Sequence, residues 1–230
     1  MIKNIVLVHG AWADGSGWEE VHNILTSKGF NVTIAPNPNT SLADDVSIIN
    51  AVLSLQNGPT VLVGHSYGGA IISEAGGHPN VNALVYVAAF VLDAGESLLK
   101  LLKDAPPDPS SPVLPPKDGF IWLDRAKFHA NFCADVPAAK AKFMANSQVP
   151  VGLAAFGTDL KVAAWKSKKS WYIVATEDKM IPPEAERGMA KRANAQVTEI
   201  KASHAVYISH AGEVANVIQK AAEVKILETV

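Results

Sequence analysis

Cys133 is the only cysteine in the 230-residue chain, which rules out an internal disulfide and any metal site built on several thiolates. Charge is scarce as well: 18% of the residues are charged, against about 25% in ordinary soluble proteins. Neither sign dominates, with 20 Lys and Arg facing 22 Asp and Glu for a net charge of −2. Without a basic surplus to neutralise phosphates, nucleic acid is not an expected partner. No stretch reaches the roughly 18 uninterrupted apolar residues of a membrane span. The apolar run Ile5–Val8 is too short to be the core of a signal peptide. A cytoplasmic protein that does not engage membranes is therefore expected. Hydrophobic residues, at 48%, are plentiful, and a chain of this length fills one core, so residues 1–230 are expected to form a single domain.

Short β-branched apolar runs alternate with amphipathic stretches, the pattern of βαβ units around a parallel sheet covered on both faces. Strands are expected near 3–8, 31–35, 60–63, 81–88, 171–175 and 196–200. Helices are expected near 18–28, 42–56, 69–74, 183–192 and 212–222. Gly29 stops the first helix, and Pro182-Pro183 opens a later one. The rhythm fails after Phe90 and returns near Ser170, and residues 105–116 hold six of the 14 prolines. An insertion over about 91–165 is read as a helical lid, with short helices over 122–145 broken at Pro137.

Directly after the run Val61-Leu62-Val63 comes Gly64-His65-Ser66-Tyr67-Gly68-Gly69, followed by small and apolar residues that continue as a helix. This is the G-x-S-x-G turn in its strand–turn–helix setting. The glycines are needed because the serine sits in a strained turn, and a Cβ two residues before or after it would strike the flanking elements. Ser66 is the candidate nucleophile. His65, its neighbour, should point away from it and serve packing.

A hydroxyl needs a base, and the base needs an orienting carboxylate. His204 follows the run 196–200 and precedes the last helix, which suits a base; His210 lies too far on, and His22, His78 and His129 fall on helices or away from strand ends. Asp178 emerges from the end of the run 171–175 and is the first choice of acid, with Glu177 beside it and Asp93 after the run 81–88 as rivals. The charge that develops on an acyl oxygen calls for preorganised donors. The Tyr67 amide, after the nucleophile, should be one, and Ala11 in the loop His9-Gly10-Ala11-Trp12 the other. Gly15-Ser16-Gly17 in the same region lacks the lysine of a phosphate loop.

Together these segments resemble the α/β-hydrolase superfamily over essentially the whole chain. The closer resemblance is to the small esterases grouped with plant methyl-ester esterases and hydroxynitrile lyases, carried by His-Gly-Ala-Trp at 9–12, Gly-His-Ser-Tyr-Gly-Gly at 64–69, Thr-Glu-Asp-Lys-Met-Ile-Pro at 176–182 and Ser-His-Ala at 203–205. The resemblance implies an α/β-hydrolase fold, a mostly parallel sheet of about six strands flanked by helices, with Ser66, Asp178 and His204 as the triad. The lyases of this group carry a lysine after the catalytic histidine and a threonine in the oxyanion loop; Ala205 and Gly10 stand here instead. Without that cation cyanide release loses its electrostatic support, which favours ester hydrolysis.

The expected activity is thus that of a serine carboxylesterase acting on a small to medium carboxylic ester, with no metal and no cofactor. The alternatives are a receptor-like relative that captures a small apolar ligand, or cofactor-free lyase or perhydrolase chemistry on the same triad. Trp12 and Trp122 are the leading candidates for substrate contact. Phe128, Phe132, Phe143, Met144 and Phe156 could join an apolar pocket, and Trp18 is assigned to the core. A homodimer is a possible assembly.

Overall fold

A computed structural model describes residues 1–103 and 109–224. Part of the proline-rich stretch, 104–108, lies outside the described residues. Six parallel strands form one sheet: β1 (Asn4–Val8), β2 (Asn31–Ile34), β3 (Thr60–His65), β4 (Val81–Val87), and, after a long intervening stretch, β7 (Lys169–Ala175) and β8 (Gln196–Ile200). Their order is β2-β1-β3-β4-β7-β8. The central strands read as continuous apolar runs because both faces are covered: Ile5 to Val8 and Val61 to Val63 are fully buried. The edge strands β2 and β8 are only partly buried.

The helices between the sheet's strands include α1 (Glu19–Ser27), α2 (Leu42–Ser54), α3 (Gly68–Ala75) and α8 (Pro183–Arg192), and after the last strand come the short α9 (Val206–Ser209) and α10 (Ala211–Ala222). Each begins or packs as its sequence dictates. Ser41 caps α2 by accepting from the Asp44 amide, and Pro183 occupies the first turn of α8. In α10 the buried set Ala211, Val214, Ala215, Ile218 and Ala222 recurs at helical spacing.

The chain leaves β1 toward β2 at the edge, then returns across to β3. Right-handed crossovers in opposite directions place α1 and α2 on opposite faces, and a crevice opens beyond the C-terminal ends of β1 and β3. The loop His9–Trp12 and the turn Gly64–Gly69 both lie at that crevice.

Between β4 and β7 lie α4 (Leu98–Leu102), β5 (Phe120–Ile121), α5 (Arg125–Phe132), α6 (Ala138–Ser147), β6 (Val151–Gly152) and α7 (Leu153–Gly157). The break expected at Pro137 is there, since this residue precedes α6. The antiparallel pair β5–β6 was not legible beforehand, because two-residue strands carry no periodicity. It is docked through Gly152, whose amide donates to Asn39 O at 2.8 Å. A Cβ at Gly152 would lie 2.1 Å from the Thr40 carbonyl oxygen.

Gly152→Ala therefore forces this pair off the loop before α2. It is expected to cost about 1–3 kcal/mol, which thermal unfolding reads as a Tm lower by several degrees.

Candidate active site

β3 runs into α3 through a turn in which Ser66 has φ +54°. A non-glycine residue in this region costs about 1 kcal/mol or more and persists only where its surroundings hold it. Here the Ser66 amide donates to Val87 O at 3.2 Å, and its carbonyl accepts from Gly69 N at 2.9 Å and Phe90 N at 3.1 Å. The flanking glycines have no space for a side chain: a Cβ on Gly64 would lie 2.5 Å from Gly68 O, and one on Gly68 2.9 Å from Val8 O. Ser66 is almost fully buried and lies on the wall of a cavity of about 190 Å³.

His204 Nδ1 donates to Asp178 Oδ2 at 2.5 Å, with both side chains wholly buried. The carboxylate is fixed from its other side, where Oδ1 accepts the amides of Met180 at 2.6 Å and Ile181 at 2.9 Å. The order of residues in Thr176–Pro182 thus builds a loop whose own backbone holds the acid. With Nδ1 carrying the proton, Nε2 is left as the basic atom, and it is buried with no partner among the described residues. No hydrogen bond joins it to Ser66 in this resting geometry; such contacts commonly tighten only when substrate binds. The rival carboxylates are elsewhere. Asp93 pairs with Lys166 at 2.5 Å, and exposed Glu177 lies 3.6 Å from Lys201.

His65 does pack, with its ring centroid 4.4 Å from that of Tyr207 and 4.6 Å from that of His204. It also does something the sequence reading missed: Nε2 donates to the His204 carbonyl at 2.9 Å, tying the nucleophile turn to the base loop. Complete burial holds its pKa well below the usual histidine value, so the ring is neutral. Asp135, beyond α5, was missed too. It accepts from the Ser203 amide at 3.0 Å and from the Ser203 and Ser209 hydroxyls, and Phe132 O accepts from the Ala205 amide at 3.1 Å. Nothing local in the sequence joins positions 135 and 203; only the fold does.

The loop after β1 is gripped by two buried asparagines, with Asn37 Nδ2 donating to His9 O at 3.3 Å and Asn39 Nδ2 to Gly10 O at 3.1 Å. Among the described residues the amides of Ala11 and Tyr67 have no hydrogen-bond acceptor, so both are free to serve a ligand. The Tyr67 phenol donates to Asp45 Oδ2 at 2.7 Å. Burial pushes the Asp45 carboxyl up to about 6 despite that bond.

The cavity at Ser66 is walled by Trp12, Phe90, Leu98, Ile121, Phe156 and Ile181, among others. Trp12 is in the wall, anchored by Nε1 donating to Ile121 O at 3.0 Å. Trp122 is not. Side chains alternate along an extended segment, so Ile121 faces the cavity while Trp122 borders a separate open depression with Leu114 and Gln148. Phe156 lines the cavity, Phe128 and Phe132 are core, and Phe143 and Met144 border an outer groove. Trp18 is fully buried. Among the described residues no group of three or more His, Cys, Asp or Glu is placed to hold a metal ion, and no helix is long and apolar enough to cross a membrane.

A parallel six-stranded sheet with a strained serine turn, and a buried histidine–carboxylate pair on following loops, defines the class. Residues 5–217 match the alpha/beta hydrolase family, and the chain belongs to it. A carbendazim-hydrolysing esterase from Nocardioides is 31% identical over 207 residues, covering 76% of this chain and 80% of that protein. A pyrethroid hydrolase from Sphingobium wenxiniae is 27% identical, covering 90% of this chain and 83% of that one. Among solved structures, polyneuridine aldehyde esterase superposes with a TM-score of 0.81 at 20% identity, over 96% of this chain and 99% of the other, which speaks to the fold.

If Asp135 holds the base loop in place, Asp135→Ala should lower kcat by about tenfold while the protein remains folded. Steady-state kinetics alongside circular dichroism check this.

Proposed function

We propose that the protein is a serine carboxylesterase that cleaves a small to medium carboxylic ester through an acyl-enzyme. The observation that carries the reading is the buried His204–Asp178 hydrogen bond at 2.5 Å, on loops that follow β7 and β8 just as the Ser66 turn follows β3. Relatives named as esterases and hydrolases support the same chemistry.

In this mechanism Ser66 Oγ attacks the ester carbonyl carbon as His204 Nε2 takes its proton. Asp178 keeps the proton of Nδ1 in place and stabilises the imidazolium that forms. The amides of Ala11 and Tyr67 receive the oxyanion, each such donor being worth roughly 10²–10³ in rate. The tetrahedral adduct collapses, and the C–O bond to the alcohol breaks as His204 returns its proton to that oxygen. A water then attacks the acyl-enzyme by the same sequence and releases the acid.

The cavity supports this substrate class. Its walls are almost entirely apolar, and its volume of about 190 Å³ somewhat exceeds the roughly 150 Å³ that accommodates benzene in an engineered apolar cavity. An uncharged ester with one aryl or short branched alkyl group fits. Ala205, after the base, offers no cation for a departing cyanide.

Ser66→Ala is expected to abolish multiple turnover of p-nitrophenyl esters without altering the circular dichroism spectrum. Asp178→Asn should cost up to about 10⁴ in kcat, whereas Asp93→Asn should be near silent. If Ser66→Ala keeps its turnover, the nucleophile lies elsewhere. If wild type binds the ester stoichiometrically and releases no product, the receptor-like alternative is correct.

A second expectation concerns size. Across p-nitrophenyl esters of increasing acyl length, kcat/KM should rise through short and benzoyl-sized groups, then fall for long linear chains that overfill the cavity.

A further inference from the structure

One buried acidic side chain has no part in the mechanism above. Glu186 lies on the inner face of α8 together with Met189 and Ala190 and is completely shielded from solvent. Its Oε2 accepts from the amide of Ala175, the last residue of β7, at 3.0 Å. Its Oε1 meets no donor among the described residues. Asp178 is anchored at the same residue from the other side, its amide donating to the Ala175 carbonyl at 3.1 Å, and this brings the two carboxyl groups to interact directly.

Two carboxylates in contact within a dry interior cannot both be charged, so one proton must lie between them. The hydrogen bonds decide which oxygen carries it. Asp178 already accepts from three N–H groups, those of Met180, Ile181 and His204, each of which stabilises an anion. Glu186 accepts from one, that of Ala175. The charge therefore resides on Asp178 and the proton on Glu186. That O–H supplies the fourth donor to a carboxylate with about four lone-pair positions.

We propose that Glu186 is a positioning residue for the catalytic acid: as a neutral carboxylic acid it donates a hydrogen bond to the Asp178 carboxylate and holds it square to His204 Nδ1. This role rests on Asp178 being the triad's acid. It also moderates the base, because a carboxylate that accepts one more hydrogen bond attracts the imidazolium less strongly. Burial first, and then the Asp178 charge, hold the Glu186 carboxyl well above the usual carboxylate range. Of the other ionisable groups nearby, the Tyr172 phenol on β7 is kept neutral by its own burial. Arg187 on α8 is turned outward and paired with Glu184 and Glu199.

The test compares Glu186→Leu and Glu186→Gln with wild type on a p-nitrophenyl ester. Glu186→Leu should lower kcat by about tenfold or more with little change in KM. It should also move the acid limb of the kcat/KM profile to higher pH, since Asp178 then attracts the imidazolium more strongly. Glu186→Gln, which keeps a neutral donor, should recover kcat to within about threefold of wild type and return the limb to its place. A folded Glu186→Leu with wild-type kcat and pH profile overturns the proposal, and so does a Glu186→Gln as impaired as Glu186→Leu.

Should Glu186→Leu fail to fold, thermal stability across pH decides. A group whose carboxyl is raised in the folded state contributes stability that is present below its unfolded value and lost as pH climbs toward the folded one. The Tm of Glu186→Gln should therefore gain steadily on that of wild type from about pH 5 to pH 9. A gap that does not change with pH shows an ionised Glu186 and rejects the assignment. Asp178→Asn, measured in parallel, reports on the triad itself: if it is silent, the acid has been misassigned and the role of Glu186 falls with it. A crippled Asp178→Asn beside a silent Glu186→Leu condemns the Glu186 role alone.

Discussion

Three backbone segments approach one another around Ser66 more closely than any side chain would permit, and the architecture of the site depends on that approach. A Cβ on Gly10 would lie 2.6 Å from Ser66 Cβ, one on Gly64 2.5 Å from Gly68 O, and one on Gly69 2.3 Å from Phe90 O. The first strand's loop, the nucleophile turn and the loop after β4 are thereby locked together. That contact lets the serine remain at φ +54° and brings the Ala11 and Tyr67 segments beside it. Parallel strands ending along one edge supply the geometry, and glycine supplies the clearance.

Held onto this rigid base are loops fixed mainly by side-chain hydrogen bonds. His65 joins the nucleophile turn to the base loop, and Asp135 joins the same loop to the α5–α6 connection. Asn37 and Asn39 grip the oxyanion loop. Buried polar groups are expensive unless satisfied, so their concentration at one edge of an otherwise apolar core marks where precise placement matters. The buried acids there, Asp45 and Glu186, have raised carboxyl pKa values, and in both burial is the leading cause.

Much of the frame was legible in the sequence, for identifiable reasons. The strands expected near 31–35, 60–63 and 196–200 and the helices expected near 183–192 and 212–222 announce themselves through apolar alternation, helical spacing and the Pro182-Pro183 start signal, whereas the order of the strands in the sheet has no local sign. Asp178 and His204 could be singled out because each follows a strand end. What remained hidden depends on contacts between distant positions: Asp135 with Ser203, His65 with the His204 carbonyl, Glu186 with Asp178. Trp122 lies outside the cavity at Ser66 for a local reason, since a two-residue strand gives no alternation from which to tell which side chain faces inward. Its neighbour Ile121 takes that place.

The rim of the cavity is also unusual for a surface. Leu99, Leu102 and Val113 line it yet remain 47%, 45% and 42% exposed. An entrance edged with aliphatic carbon offers an arriving molecule nothing to replace its hydration shell. Compounds that shed water readily will cross that threshold, and strongly hydrated ones will be turned back. Part of the sorting among esters is therefore done at the doorway, before any bond is strained.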